Sequence, residues 1–161
     1  MKRALPPIVT PNSKVLIVGA MPVEKSIAQQ QYYANKSNQF WKILFEVFET
    51  PFSDDYDTRK KSLRTNKIAL WNVLAFCERK GSADHNIRNE CANDFLDFHR
   101  KYPNIEHVCF ESKSAANYFL KHRERNSRIA YHVLPSKSAL YAGMKYADKL
   151  AAWQILPKLL L

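Results

Sequence analysis

Residues with chemical potential fall in a few short stretches that interrupt or close apolar sequence. Gly19-Ala20-Met21-Pro22 follows one apolar run and Asn72 follows a second. Glu111-Ser112-Lys113-Ser114 follows a third run, and Pro135-Ser136-Lys137-Ser138 follows a fourth. A polar start, Ser37-Asn38-Gln39, precedes a segment with helical apolar spacing, where an asparagine is suited to capping the helix. A carboxylate such as Glu111 at neutral pH only accepts hydrogen bonds, whereas an amide both donates and accepts. If the four runs are strands of one open α/β sheet, their polar followers meet outside its carboxyl edge, where ligands bind in such sheets. That narrows the place of a site without naming its reaction. Metal chemistry finds no support: His85, His107 and His132 form no recognisable ligand set, and Cys77, Cys91 and Cys109 stand in no metal-like spacing. Each cysteine has apolar neighbours, which suits buried free thiols in a reducing compartment.

The elements that must position these residues belong to a chain of 161 residues, with 46% apolar and 12% aromatic content. That is one domain's worth of sequence (residues 1–161) with enough apolar material for a real core. Only three glycines occur, and no run approaches the roughly 18 apolar residues of a membrane-spanning helix. Leu5-Pro6-Pro7 stands where a secretory signal would carry its apolar core, so a soluble, unexported protein is expected. The formal charge is +10, and it is unevenly spread: residues 100–161 carry eleven basic and four acidic side chains. A basic final third with interleaved aromatics suits an anionic partner, nucleic acid above all, or else a merely solubilising surface.

The four runs are Val15–Val18, Ile68–Trp71, His107–Phe110 and Ile129–Leu134, rich in β-branched and aromatic residues and too short for helices. Three are nearly uninterrupted, as in strands covered on both faces. Helical spacing lies between them, strongest at Phe40–Phe48, weaker around Ala92–His99 and Ala115–Leu120. It returns at Leu150–Leu160, where Pro157 interrupts. Residues 53–66 are polar and charged, and predict a surface helix or loop. Strands alternating with helices imply right-handed crossovers. The expected fold is a three-layer α/β/α sandwich with a small, mainly parallel four-stranded sheet.

Residues 5–41, LPPIVTPNSKVLIVGAMPVEKSIAQQQYYANKSNQFW, resemble the hypoxanthine-DNA (deoxyinosine) glycosylase branch of the uracil-DNA glycosylase superfamily. That branch has a PPI leader, a strand, G-S-x-P-G and then Y-Y-x-H-P-x-N-x-F-W. Downstream, IALWNVLAFCERKGSADHNI is similar to its L-W-D-V and R-x-G-S-x-D-x-x-I segments, and VLPSKSALYAGMKYADKLAAWQIL to its L-P-S-T-S-P-A loop and closing K-x-x-x-W helix. The resemblance implies a monofunctional glycosylase that flips a deaminated base, hypoxanthine as the best match, out of DNA and hydrolyses its N-glycosidic bond without metal or cofactor. It implies a base pocket of Gly19, Ala20, Met21, Pro22, Tyr33, Asn72 and Glu111, with Tyr33 stacking on the extruded base. Asn38 takes the place of the water-positioning amide, and an amide suits a dissociative reaction that needs little nucleophile activation. Capping the following helix remains its other reading, and the two are compatible. Pro135, Ser136, Lys137 and Ser138 match the loop that grips phosphates, with Leu140 or Tyr141 as an apolar wedge in the stack.

Several positions depart from that pattern. Val23 replaces a glycine, Asn35-Lys36 replaces His-Pro, and Lys137 and Ala139 replace Thr and Pro. Glu111 stands where the branch has a base-reading asparagine. An acceptor there favours a base that donates, such as the N1–H of a purine, unless a buried carboxyl is protonated and restores a donor, or the side chain turns to solvent or pairs with Lys113. Two other readings stay open: a DNA-binding member of the same fold without turnover, and an enzyme of free nucleosides. A monomer is expected, in bacterial cytoplasm or a nucleus.

Overall fold

The computed structural model describes residues 1–136 and 144–161. In chain order the elements are β1 (Lys2–Arg3), β2 (Val15–Gly19), α1 (Glu24–Gln29), α2 (Phe40–Val47), α3 (Tyr56–Thr65), β3 (Ile68–Asn72) and β4 (Leu74–Glu78). There follow β5 (Arg88–Ala92), α4 (Phe95–Lys101), β6 (His107–Phe110), α5 (Lys113–His122), β7 (Ala130–Val133), α6 (Tyr146–Trp153) and α7 (Ile155–Leu159). The four apolar runs form one parallel sheet in the order β3-β2-β6-β7.

The uninterrupted apolar character of β2 has a direct cause, because alternate side chains enter two different cores. Val15 and Ile17 pack with Phe40, Ile43 and Leu44 of α2, Leu63 of α3 and Trp153 of α6. Leu16 and Val18 pack with Phe95 and Phe98 of α4 and Ala115 and Phe119 of α5. All five β2 residues are buried, as a central parallel strand requires. The three-layer α/β/α expectation therefore holds. The chain returns from β2 to β3 through α2 and α3 on one face and leaves β6 for β7 through α5 on the other. The direction of winding reverses between β2 and β6, which opens a crevice at their carboxyl ends.

A second sheet, β1-β4-β5, is antiparallel and was not foreseen. Its strands read KR, LAFCE and RNECA, and β4 and β5 pair with register shifts, so no clean alternation marks them. Two expectations change with it. Ala92 belongs to β5, and α4 begins only at Phe95, where the Asp94 carboxylate caps the Asp97 N–H at 3.0 Å. Cys91 is exposed, because β5 turns that side chain outward, while Cys77 and Cys109 are buried thiols. The charged 53–66 segment is helical from Tyr56, where Asp55 accepts the Thr58 N–H at 2.9 Å, and it buries only Leu63. No helix among the described residues is long and apolar enough to cross a membrane.

The small sheet is tied to α5 through Glu90, whose carboxylate accepts from Lys121 Nζ at 2.6 Å and from His122 Nε2 at 2.9 Å. The Lys121 hydrogen bond, followed by that of His122, lowers the Glu90 carboxyl from 4.5 to about 2. A depressed carboxyl stabilises the fold above its unfolded value and loses that contribution as pH falls through the folded one. Lys121 is largely exposed, so screening keeps the effect modest. Glu90→Gln is expected to lower the melting midpoint by about 2 °C near neutral pH. The gap to the wild type should narrow as pH drops from 4.5 toward 2, as followed by circular dichroism.

Candidate active site

Three strand ends lie level at the crevice. Gly19 pairs with Asn72 across β2 and β3, and the Glu111 N–H donates to the Val18 carbonyl at 3.0 Å, which sets Glu111 beside Gly19. Paired residues of parallel strands face the same side, here the α2 side. The Glu111 carboxylate leans over Gly19: a Cβ on residue 19 would stand 2.7 Å from Oε1 and 2.9 Å from the carboxyl carbon. Glycine is therefore needed here for space. Glu111 is 7% exposed and turned into the crevice, neither toward solvent nor onto Lys113.

From the opposite wall the Tyr33 hydroxyl donates to Glu111 Oε2. Burial, and then the adjoining carboxylate, push the Tyr33 phenol well above the ordinary tyrosine range, so it remains a donor at neutral pH. Its ring stacks on Phe40 at 4.1 Å between centroids. Tyr33 has φ of 54°, a left-handed conformation that costs a non-glycine residue on the order of 1 kcal/mol. The neighbours on both sides are pinned. The Tyr32 N–H donates to the Tyr56 hydroxyl at 3.0 Å, Trp41 Nε1 donates to the Tyr32 carbonyl at 3.0 Å, and the Ala34 N–H donates to Ser26 Oγ at 3.1 Å. Burial of Ser26, Tyr32 and Trp41 makes these bonds hard to exchange for water.

The same turn runs on to Asn38. Asn35 organises it by accepting the Ser37 N–H at 3.1 Å on its side chain and the Asn38 N–H at 2.9 Å on its carbonyl. Asn38 Oδ1 accepts the Phe40 N–H, at the first residue of α2, at 2.8 Å. The N-cap residue itself is Gln39, which makes no side-chain cap hydrogen bond, so Asn38 stands one residue before the cap and steers the entry to α2 through an Asx turn. That leaves one Oδ1 lone pair and the whole Nδ2 group uncommitted among the described residues. An amide oriented by a backbone N–H in this way can hold a water molecule in a fixed direction. Next to it, Gln39 accepts from Lys149 Nζ at 3.0 Å, and burial lowers the Lys149 ammonium from its ordinary value.

A cleft of about 860 Å³ opens over these groups. Ala20, Met21, Pro22, Tyr33, Asn38, Asn72, Glu111, Pro135 and Ser136 all border it, so the structure gathers nine sequence-predicted residues around one space, and Gly19 lies beneath them. Ala20 and Met21 offer no group that polarises water. Asn72 is 4% exposed, its carbonyl accepts from Asn93 Nδ2 at 2.9 Å, and its Oδ1 is buried without a hydrogen-bond partner among the described residues. A buried acceptor of this kind is expected to be completed by a bound group or water. Pro135 is fixed by Trp153 Nε1, which donates to its carbonyl at 3.0 Å. The expectations for Lys137, Ser138, Leu140 and Tyr141 fall outside the described residues.

Sequence reasoning assigned nothing to Arg79, although the residue stands in the R-K-G-S segment. Its Nη2 donates to the Pro22 carbonyl at 2.5 Å and its Nε to the Gly81 carbonyl at 3.1 Å, clamping the loop after β2 from behind. Ser82 Oγ accepts the Glu24 N–H at 3.0 Å and Asp84 accepts from Ser114 Oγ at 2.7 Å, so the loop after β4 braces both α1 and α5 at the cleft rim. No group of three or more metal-ligating side chains occurs among the described residues.

Known proteins resemble this chain over most of its length. A family model described as the uracil DNA glycosylase superfamily matches residues 6–157. A protein named hypoxanthine DNA glycosylase from Methanosarcina acetivorans is 34% identical over 139 residues, which are 86% of this chain and 87% of that protein. Its namesake from Methanosarcina barkeri is 35% identical over 118 residues, 73% and 75% of the two chains. A solution NMR structure of a uracil DNA glycosylase candidate from Methanosarcina acetivorans superposes with a TM-score of 0.81 at 32% identity, covering 96% of this chain and 98% of that one.

Gly19→Ala should destabilise the fold by about 1–3 kcal/mol, because the new methyl group overpacks against the Glu111 carboxyl. Truncating the carboxyl as well, in Gly19→Ala/Glu111→Ala, should remove most of that penalty relative to Glu111→Ala alone. Urea denaturation of the four proteins measures the coupling, and additive penalties would contradict the packing described.

Proposed function

The chain belongs to the uracil DNA glycosylase superfamily and is a DNA glycosylase, and we propose that it removes hypoxanthine by hydrolysis of the N-glycosidic bond. The observation that carries the choice of base is Glu111. Its carboxylate is held over Gly19 at the cleft floor and its orientation is set by the Tyr33 hydroxyl. A carboxylate accepts, so it suits a base edge that donates. Hypoxanthine presents N1–H with a carbonyl on one side only and a C–H on the other. Uracil and xanthine present their imide N–H between two carbonyls, and one of these must face the carboxylate. The floor therefore favours hypoxanthine. Asn72, level with Glu111 on the far side of Gly19, supplies an amide to the same edge.

The chemistry follows from what the cleft holds. The bond from C1′ to the purine nitrogen breaks first, its electron pair leaving with the base. The sugar becomes oxocarbenium-like and needs a positioned water more than a strong base. Asn38, oriented through the Phe40 N–H, holds that water toward C1′. Oxygen bonds to C1′, one proton of the water passes to the departing base, and an abasic site remains. No step in this reading forms a covalent bond to a lysine amine, so the enzyme is monofunctional. The flipped base stacks against the ring face of Tyr33 opposite Phe40. Pro135 and Ser136 hold the adjoining backbone, continued by Lys137 and Ser138, and Leu140 or Tyr141 fills the vacated stack.

Duplexes carrying one hypoxanthine, uracil or xanthine, treated with hot alkali after incubation, test both assignments. Hypoxanthine should be released fastest, and Asn38→Ala should slow single-turnover release by about 100-fold or more. Glu111→Asn, which restores a donor, should raise release of uracil relative to hypoxanthine. Equal release of uracil and hypoxanthine by the unaltered protein would refute the base assignment, and an undiminished Asn38→Ala would refute the role of that amide.

A further inference from the structure

The turn from Tyr33 to Asn38 has a second side. Beyond it, α2 and the start of α3 enclose a groove of about 730 Å³ that shares Tyr33, Asn35, Ser37 and Asn38 with the cleft. We propose that this groove binds a backbone phosphate of the damaged DNA strand next to the flipped nucleotide, and that Arg59 is its anion clamp. The inference rests on the reading of the protein as a DNA glycosylase.

Arg59 is held as a receptor would be. Its Nε donates to the Ser53 carbonyl at 2.7 Å, and its guanidinium carbon lies 5.3 Å from the ring centroids of both Trp41 and Phe52. Those contacts fix the plane of the group, while its two Nη groups make no hydrogen bond and no ion pair among the described residues. A planar fork with both tines open matches two oxygens of one phosphodiester. Partial burial works against the positive charge, with Asp54 offsetting it in part, so an arriving anion would relieve a real electrostatic deficit.

The surroundings favour a nucleic-acid strand over a small anion. Lys36 and Lys42 are exposed on the same groove, giving three cations there against the carboxylates of Glu46 and Asp54. Glu46 already accepts from the Tyr146 hydroxyl at 2.9 Å. Phe52, 58% exposed, offers a ring beside the clamp for a neighbouring sugar or base. Most of all, cleft and groove are two sides of one turn, so a strand with one nucleotide in the cleft leads straight over the turn into the groove.

Binding of a duplex with a central abasic-site analogue, followed by fluorescence anisotropy between 50 and 200 mM salt, tests this. Arg59→Gln should weaken binding several-fold, and the slope of log K against log salt should become less negative by about 0.9, as expected for one lost phosphate contact. Arg59→Lys, which keeps the charge and loses the fork, should keep the slope with part of the affinity. The Arg59→Gln deficit should vanish when the duplex is cut short on one flank of the lesion and persist when it is cut on the other. An unchanged slope, or a deficit that ignores both truncations, would overturn the proposed clamp while leaving the glycosylase reading standing. A wild-type protein that binds no DNA would overturn both.

Discussion

The carboxylate of Glu111 occupies the space a side chain on residue 19 would need, and the site is built outward from that overlap. Because Gly19 is the last residue of a central strand, its lack of a Cβ opens a notch at the level where β3 ends in Asn72 and Glu111 follows β6. The notch lets an acidic side chain lie across the sheet edge while staying almost fully buried. Once there, it receives the Tyr33 hydroxyl from the helical layer above, and one hydrogen bond joins the parallel sheet to the turn before α2.

That turn would not hold its shape by local preference. Tyr33 is left-handed without being glycine, and only contacts from elsewhere keep it so. Tyr56 reaches it from α3, Trp41 from α2 and Ser26 from α1. Three helices are thus spent on a single turn, and the same turn carries Asn38. The arrangement couples the acceptor on the floor to the amide on the wall: what moves Tyr33 moves both. Preorganisation of this kind is the usual protein contribution to a reaction with little covalent chemistry on the enzyme.

The opposite face does a different job. There the small antiparallel sheet and its loop hold the segment after β2 from behind, through Arg79 on the Pro22 carbonyl and Ser82 on the Glu24 N–H. The two hydrophobic cores therefore serve the cleft from both sides, one presenting the groups that line it and the other fixing the loop that bounds it. Lys149, buried beneath Gln39, links the closing helix to the Asn38 turn.

How much of this was legible before folding depends on the range of the physics involved. Doubly covered parallel strands announce themselves as unbroken apolar runs, so Val15–Gly19, Ile68–Asn72 and His107–Phe110 could be read with boundaries nearly right. The convergence of their polar followers came with the strand order, and the resemblance carried by N-Q-F-W and its companions named the superfamily and pointed to Asn38. The antiparallel sheet was silent, because RNECA and its irregular register carry no periodicity. Cys91 was misjudged for the same reason, since which face of β5 is buried depends on what packs there. The partners of Glu111 and Arg79 lie 78 and 57 residues away in the chain. The sequence alone determined the layers, the strands and the sheet edge, which follow from local pattern and composition. Only the tertiary structure decided that Glu111 faces the cleft, that Tyr33 is held left-handed to meet it, and that Arg59 has its fork open, because each depends on groups brought together solely by folding.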